Sequence, residues 1–258
     1  MYRNYQEDEI DRYFKEQEGG FAKKDPDEFT PEPYVDEREV MRRKIEHEEK
    51  VARCSVFAKK YMLLFMILIG GIALSALSVV LAILAFATPS FVKTISTVII
   101  ILSFLSFAIS VGYGLVLVSL GNYYRDFRTA GLLYMVNGAM SALYNSIGGG
   151  LGFLFQITAA VASVMYMLKF ASAMSASFEN VASYMSISWD NFRKVFIYVY
   201  AGIAILTLGS FVPILGIFAS LFLLVLSVVA IGVSIWQIVL IFKSSRVMKE
   251  HADSIFAG

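Results

Sequence analysis

The chain has 258 residues, of which 57% are hydrophobic and 17% charged, with a mean hydropathy of +0.65. A soluble domain of this length normally carries about a quarter charged residues, so lipid must solvate most of this chain. A net charge of +1, with the bases set beside apolar runs rather than in a patch of their own, argues against nucleic acid or an acidic substrate as partner.

The charges are segregated. Residues 1–60 hold 16 of the 21 acids and 13 of the 22 bases. Residues 1–34 are acidic and polar, interrupted by Gly19, Gly20, Pro26, Pro31 and Pro33, and are expected to form a disordered cytoplasmic tail. Residues 35–60 lack Gly and Pro and pair Glu39 with Arg43 and Glu46 with Lys50 at helical spacing, which predicts a charged cytoplasmic helix leading into the membrane. The lone Cys54 excludes an intramolecular disulfide and a multi-cysteine metal cluster; it reads as a reduced thiol, with juxtamembrane palmitoylation as the alternative. The first apolar run begins only at Tyr61 and is too long for a signal-peptide core, so it should serve as an uncleaved anchor.

A helix needs about 20 apolar residues to cross the hydrocarbon core. The uncharged run from Tyr61 holds one span, 61–87, closed by Thr88, Pro89 and Ser90. Beyond Lys93 the second span is 96–120, ended by a polar segment with Arg125, Asp126 and Arg128. The uncharged run from Thr129 to Leu168 fits two spans, 130–147 and 151–169, broken at Gly148, Gly149 and Gly150. The run from Val195 to Phe242 fits two more, 195–212 and 215–242, folding back near Pro213, and leaves a cytoplasmic tail at 243–258. The expected fold is all-α, a six-span transmembrane domain over 61–242.

The distribution of Lys and Arg supports an even count. Seven bases lie between Arg42 and Lys60, and further ones follow the second, fourth and sixth spans, whereas the opposite loops offer only Lys93. Cytoplasmic loops carry such an excess, so both termini are expected in the cytoplasm, in what reads as a bacterial cell membrane. Between the fourth and fifth spans Met174, Phe178, Val181, Met185 and Trp189 recur every three or four residues, which predicts an amphipathic inner loop, 171–192, with that stripe on the membrane surface at the inner leaflet or packed on the underside of the bundle.

No acid, His or Arg lies within a predicted span, which disfavours ion-coupled pumps and intramembrane proteases, and no cofactor or metal is expected. His47 and His251 read as solvated surface residues. The polar groups within the spans are Asn137, Asn145 and Gln156, with Gln237 near the end of the sixth; in lipid such amides seek partners on other helices. The sharper reading has Asn137 and Gln156 lining one small polar cavity. Small residues at four-residue spacing, such as Gly71 with Ser75 and Ala108 with Gly112, permit close helix contact within the chain or between subunits. The function expected is a non-enzymatic scaffold or accessory subunit that recruits a protein partner through residues 1–60, the alternative being a passive channel or small-solute permease.

Overall fold

The computed structural model describes residues 37–87, 92–147, 149–209 and 213–257. The acidic segment 1–34, the turn expected at 88–90 and the last residues of the expected fifth span, 210–212, lie outside the described residues, as does the side chain of Asn145. Six helices account for nearly all of the described residues: α1 (Glu37–Ala87), α2 (Val92–Leu120), α3 (Arg125–Ile147), α4 (Gly149–Phe178), α5 (Ser183–Gly209) and α6 (Pro213–Ala257). The stretches Arg38–Leu81, Thr97–Leu120, Leu151–Phe178 and Leu221–Ile255, in α1, α2, α4 and α6, are long and apolar enough to cross a bilayer. The chain is therefore a membrane protein. Over the described residues α3 and α5 fall outside this set, α3 carrying Asn137, Ser141 and Asn145 and α5 carrying Asp190, Arg193 and Lys194 in its first half.

Residues up to Ile45 form a unit of their own, whose described part is the start of α1 with its Arg43 to Glu39 ion pair. The contacts that follow lie within residues 46–258. Consecutive helices pack side by side, Tyr113 on Tyr134 between α2 and α3, Phe127 on Phe170 between α3 and α4, Phe170 on Trp189 between α4 and α5, and Phe192 on Trp236 between α5 and α6. The last helix returns to the first. Ser245 Oγ donates to the Ala58 carbonyl at 2.8 Å, Phe65 meets Phe242, and His47 Nε2 lies 2.9 Å from the Ile255 carbonyl. Contact positions fall along α1 as they rise along α6, so the two helices run antiparallel. The Ile255 carbonyl can only accept, which assigns the hydrogen to Nε2.

Two features of length and packing stand out. At about 1.5 Å per residue, the 51 residues of α1 and the 45 of α6 are each far longer than a hydrocarbon core about 30 Å thick. Both helices must therefore continue outside it, and their paired ends at 46–60 and 243–255 do so together. Between α2 and α3 the backbones nearly touch: a Cβ on Gly131 would stand 2.5 Å from the Gly114 carbonyl oxygen, and one on Gly138 would stand 2.5 Å from Ser110 Cβ. Only glycine allows this approach, which is how two helices gain van der Waals contact where lipid removes any hydrophobic drive to associate.

The structure changes the form of the inner loop and takes the packed placement of its stripe over the membrane-surface one. Residues 171–192 are not one amphipathic helix but the end of α4 and the start of α5, joined by a turn in which the Phe178 carbonyl accepts from the amides of Val181 and Ala182 at 3.1 and 2.9 Å. The stripe keeps its inward bearing through this turn. Met174, Phe178, Met185 and Trp189 are fully or almost fully buried, and Val181 packs against the same core, so the stripe faces protein rather than a membrane surface. A helical apolar period identifies a face to be covered without saying what covers it.

Candidate functional site

Two polar regions lie among the helices, one at each end of the bundle. At the end bearing most of the charged residues, aromatic rings form the core, and each buried polar group finds a partner there. Tyr61 donates to Ser177 Oγ at 2.8 Å, and Ser177 donates to the Met174 carbonyl at 2.8 Å. Tyr113 and Tyr166 hydroxyls lie 3.0 Å apart, and Trp189 Nε1 donates to Ser244 Oγ at 3.0 Å. Gln237 Nε2 approaches the Tyr166 hydroxyl at 3.5 Å, at the outer limit of a hydrogen bond. No buried side-chain nitrogen or oxygen among the described residues lacks a partner. Lys169 Nζ meets Asp126 Oδ1 at 3.1 Å across α3 and α4. In the turn after α2, burial pushes the Tyr124 phenol above its ordinary pKa, while the nearby Arg53 guanidinium pulls the other way. A network so completely satisfied holds this end of the bundle in place.

The other region is a cleft between α1, α2 and α3. Ser75 and Ser78 on α1, Ser103, Ser106 and Ser110 on α2, and Asn137 and Ser141 on α3 recur at three- and four-residue spacing, which puts each set on one helical face. Those faces meet around a cavity of about 400 Å³, completed by Val79, Ile99, Phe107, Gly138 and Ala142. The absent side chain at Gly138 is what lets α3 approach Ser110 at this wall.

The hydrogen-bond inventory of the cleft is lopsided. Ser75 donates to the Gly71 carbonyl at 3.0 Å, Ser78 to Leu74 at 3.0 Å, Ser103 to Ile99 at 2.9 Å and Ser110 to Ser106 at 2.9 Å, all within their own helices. A hydroxyl has one hydrogen, so each of these four has placed its donor within its own helix. Asn137 makes no hydrogen bond among the described residues, and its amide adds two donors and an acceptor to the wall. Among the described residues no charged side chain lines the cavity.

Of the residues singled out from the sequence, Asn137 lies in this wall while Gln156 does not. The inward face of α4 is the series Gly152, Ala159, Ala162, Tyr166 and Phe170, and Gln156 falls off that series onto an exposed face. A shared Asn137 and Gln156 cavity is thus replaced by one that Asn137 shares with the serines of α1 and α2. Those serines were the readable signal that was missed, since Ser103, Ser106 and Ser110 repeat at the spacing that marks one face of α2. Among the described residues no three His, Cys, Asp or Glu side chains gather as a metal site would require. Compared with known proteins, the chain matches no family model, no curated protein and no solved structure.

Proposed function

We propose that this membrane protein is a non-enzymatic scaffold or accessory subunit, crossing the bilayer six times with both termini in the cytoplasm, and that residues 1–60 recruit a protein partner there. The observation that carries the reading is the segregation of charge: 16 of 21 acids precede residue 61, on a segment joined to the bundle through the unbroken helix α1. Support also comes from the fixed base of that helix, where Phe57, Ala58, Tyr61 and Leu64 are buried against the other helices. An anchored base suits the docking of a soluble partner with little ordering cost on the membrane side.

The test is purification of the tagged protein from its native membrane in a mild detergent, beside a variant lacking residues 1–40. A partner present in stoichiometric amount and lost from the truncated protein is the expected result. Identical partner sets for the two proteins would overturn the reading. Topology is tested separately by reporter fusions at both termini, and opposite sides for the two ends would remove the six-span arrangement.

The serine-lined cleft favours a second reading, a passive permease for a small solute. It predicts flux into liposomes containing the protein, and flux unaffected by Asn137→Leu would count against a route through the cleft.

A further inference from the structure

A closed ring of contacts fixes one depth on five helices. Phe57 and Tyr61 of α1 meet Phe127 of α3, Phe127 meets Phe170 of α4, and Phe170 meets Trp189 of α5. Trp189 donates to Ser244 of α6, and Ser245 returns to the Ala58 carbonyl of α1. Within four residues of Ala58, Phe127, Phe170, Trp189 and Ser244, which is about 6 Å along each helix, the sequence places eight bases and two acids. The acids, Asp126 and Asp190, pair with Lys169 at 3.1 Å and with Arg193 at 3.2 Å. Lys59, Arg125, Arg128 and Lys243 are exposed at this level.

On α1 and α6 the excess of bases ends on both sides of this depth. In one direction residues 61–87 and 213–242 carry no charge, and residues 149–168 of α4 likewise carry none. In the other the paired ends 46–53 and 249–255 hold five acids and three bases. A hydrocarbon core excludes charge, so the uncharged stretches set its edge at the belt of bases, and headgroup phosphates form the layer that adjoins it. Lys and Arg lay their methylene stems along apolar surface and carry the charge to its edge, which brings these bases to phosphate level. A zwitterionic headgroup offsets its phosphate with a cation of its own, whereas an anionic one keeps a net negative charge for the protein to meet. We propose that the belt binds the headgroups of anionic phospholipids and gathers them around the protein in the leaflet at its charged end. The proposal rests on the chain's crossing a membrane and not on recruitment of a protein partner.

The experiment places the full chain in phosphatidylcholine vesicles with a trace of spin-labelled phosphatidylglycerol or of spin-labelled phosphatidylcholine. Electron spin resonance then measures the share of each label immobilised against the protein. The expected result is a roughly fivefold preference for the phosphatidylglycerol label, the effect of one base beside an anionic surface, and its loss in about 1 M salt. Lys59→Gln together with Lys243→Gln should lower the preference about twofold. Lys50→Gln together with Lys249→Gln removes the same charge beyond the belt and should leave the preference unchanged. Protection of the buried Cys54 thiol from a soluble reagent reports folding in every variant. If the first pair exposes that thiol, Arg125→Gln with Arg128→Gln takes its place, with the same lowering expected. Equal immobilisation of the two labels by the wild type, as when acidic residues of the chain itself occupy the belt, would overturn the proposal. So would a preference that persists in a folded belt variant, or one that the Lys50 and Lys249 pair lowers as much.

Discussion

Along α5, Trp189, Phe192 and Phe196 are buried in the first half, whereas Ile205 near the other end is 68% exposed. The first helix repeats the pattern: Phe57, Tyr61 and Leu64 sit in the core, and further along Val80 and Ile83 turn outward. The aromatic core, the cross-helix hydrogen bonds of Tyr61, Trp189 and Ser245, and the Lys169 to Asp126 pair all belong to one end. The opposite end has the serine cleft and exposed aliphatic side chains. The difference follows from the solvent each end meets. Where helices extend beyond the hydrocarbon, water drives apolar side chains together, and the core that forms there continues into the spans through Leu64, Tyr113 and Tyr166. Where lipid surrounds them, Leu and Val gain little by leaving it, and helices associate through close backbone contact and polar pairing instead.

The largest expected effect tests that division directly. Trp189→Ala removes a fully buried side chain that contacts Phe170, Phe192 and Ser244, and should cost about 3–5 kcal/mol in reversible unfolding. Leu224→Ala, on an exposed position of α6, should stay within about 0.5 kcal/mol of wild type. Equal losses at the two sites would mean that the exposed end is covered by another chain, and the comparison would need redrawing. Next in size is a contrast within one helix pair. Gly131→Ala should cost about 1–3 kcal/mol because the new methyl meets the Gly114 carbonyl. Gly112→Ala, where a Cβ meets nothing within 4 Å, should be neutral or slightly stabilising in the same thermal melts.

How much of this could be read from residues alone depends on which property each feature uses. Apolar run length and the placement of Arg125, Arg128, Arg193 and Lys194 carry the helical membrane class, because crossing hydrocarbon imposes a minimum length and excludes charge. The spacing of Met174, Phe178, Met185 and Trp189 shows a helical face but not its partner, which is why a core stripe reads equally well as a surface one. Glycine pairs sought at four-residue spacing miss the contact that matters, because Gly114 and Gly131 meet across helices and no interval within one helix reveals them. The cleft was half legible. Asn137 announces itself as an amide in lipid, but whether its partners come from α2 or α4 depends on helix rotation, which falls outside any single-helix pattern.

Smaller effects sharpen the packed end. Lys169→Met removes an ion pair of which both members are about a third or more exposed, so solvent screening should hold the loss below about 1 kcal/mol, diminishing further at high salt. A loss several times larger would show that the pair is shielded from water in the bilayer, and would move the boundary between the two regions toward α4's end.

The smallest effect concerns the rim of the packed end, at Tyr124. Burial raises its pKa, with Arg53 opposing and Glu179 and Cys54 adding to the rise, so the folded state keeps the phenol proton to higher pH than the unfolded chain does. Unfolded tyrosine gives up its proton near pH 10. Below that value the two states bind the same proton and stability is unaffected by it. As pH rises through 10 toward the folded value, the unfolded state alone is stabilised by ionising, and stability falls. Tyr124→Phe removes this contribution, so its melting temperature should drop less than wild type between about pH 9 and 11. Other tyrosines add the same slope to both proteins, and the difference between the two curves isolates Tyr124. Parallel curves would place Tyr124 in contact with bulk water, and the packed region would then end one turn deeper, at Leu120 and Phe127 rather than at the loop that joins them.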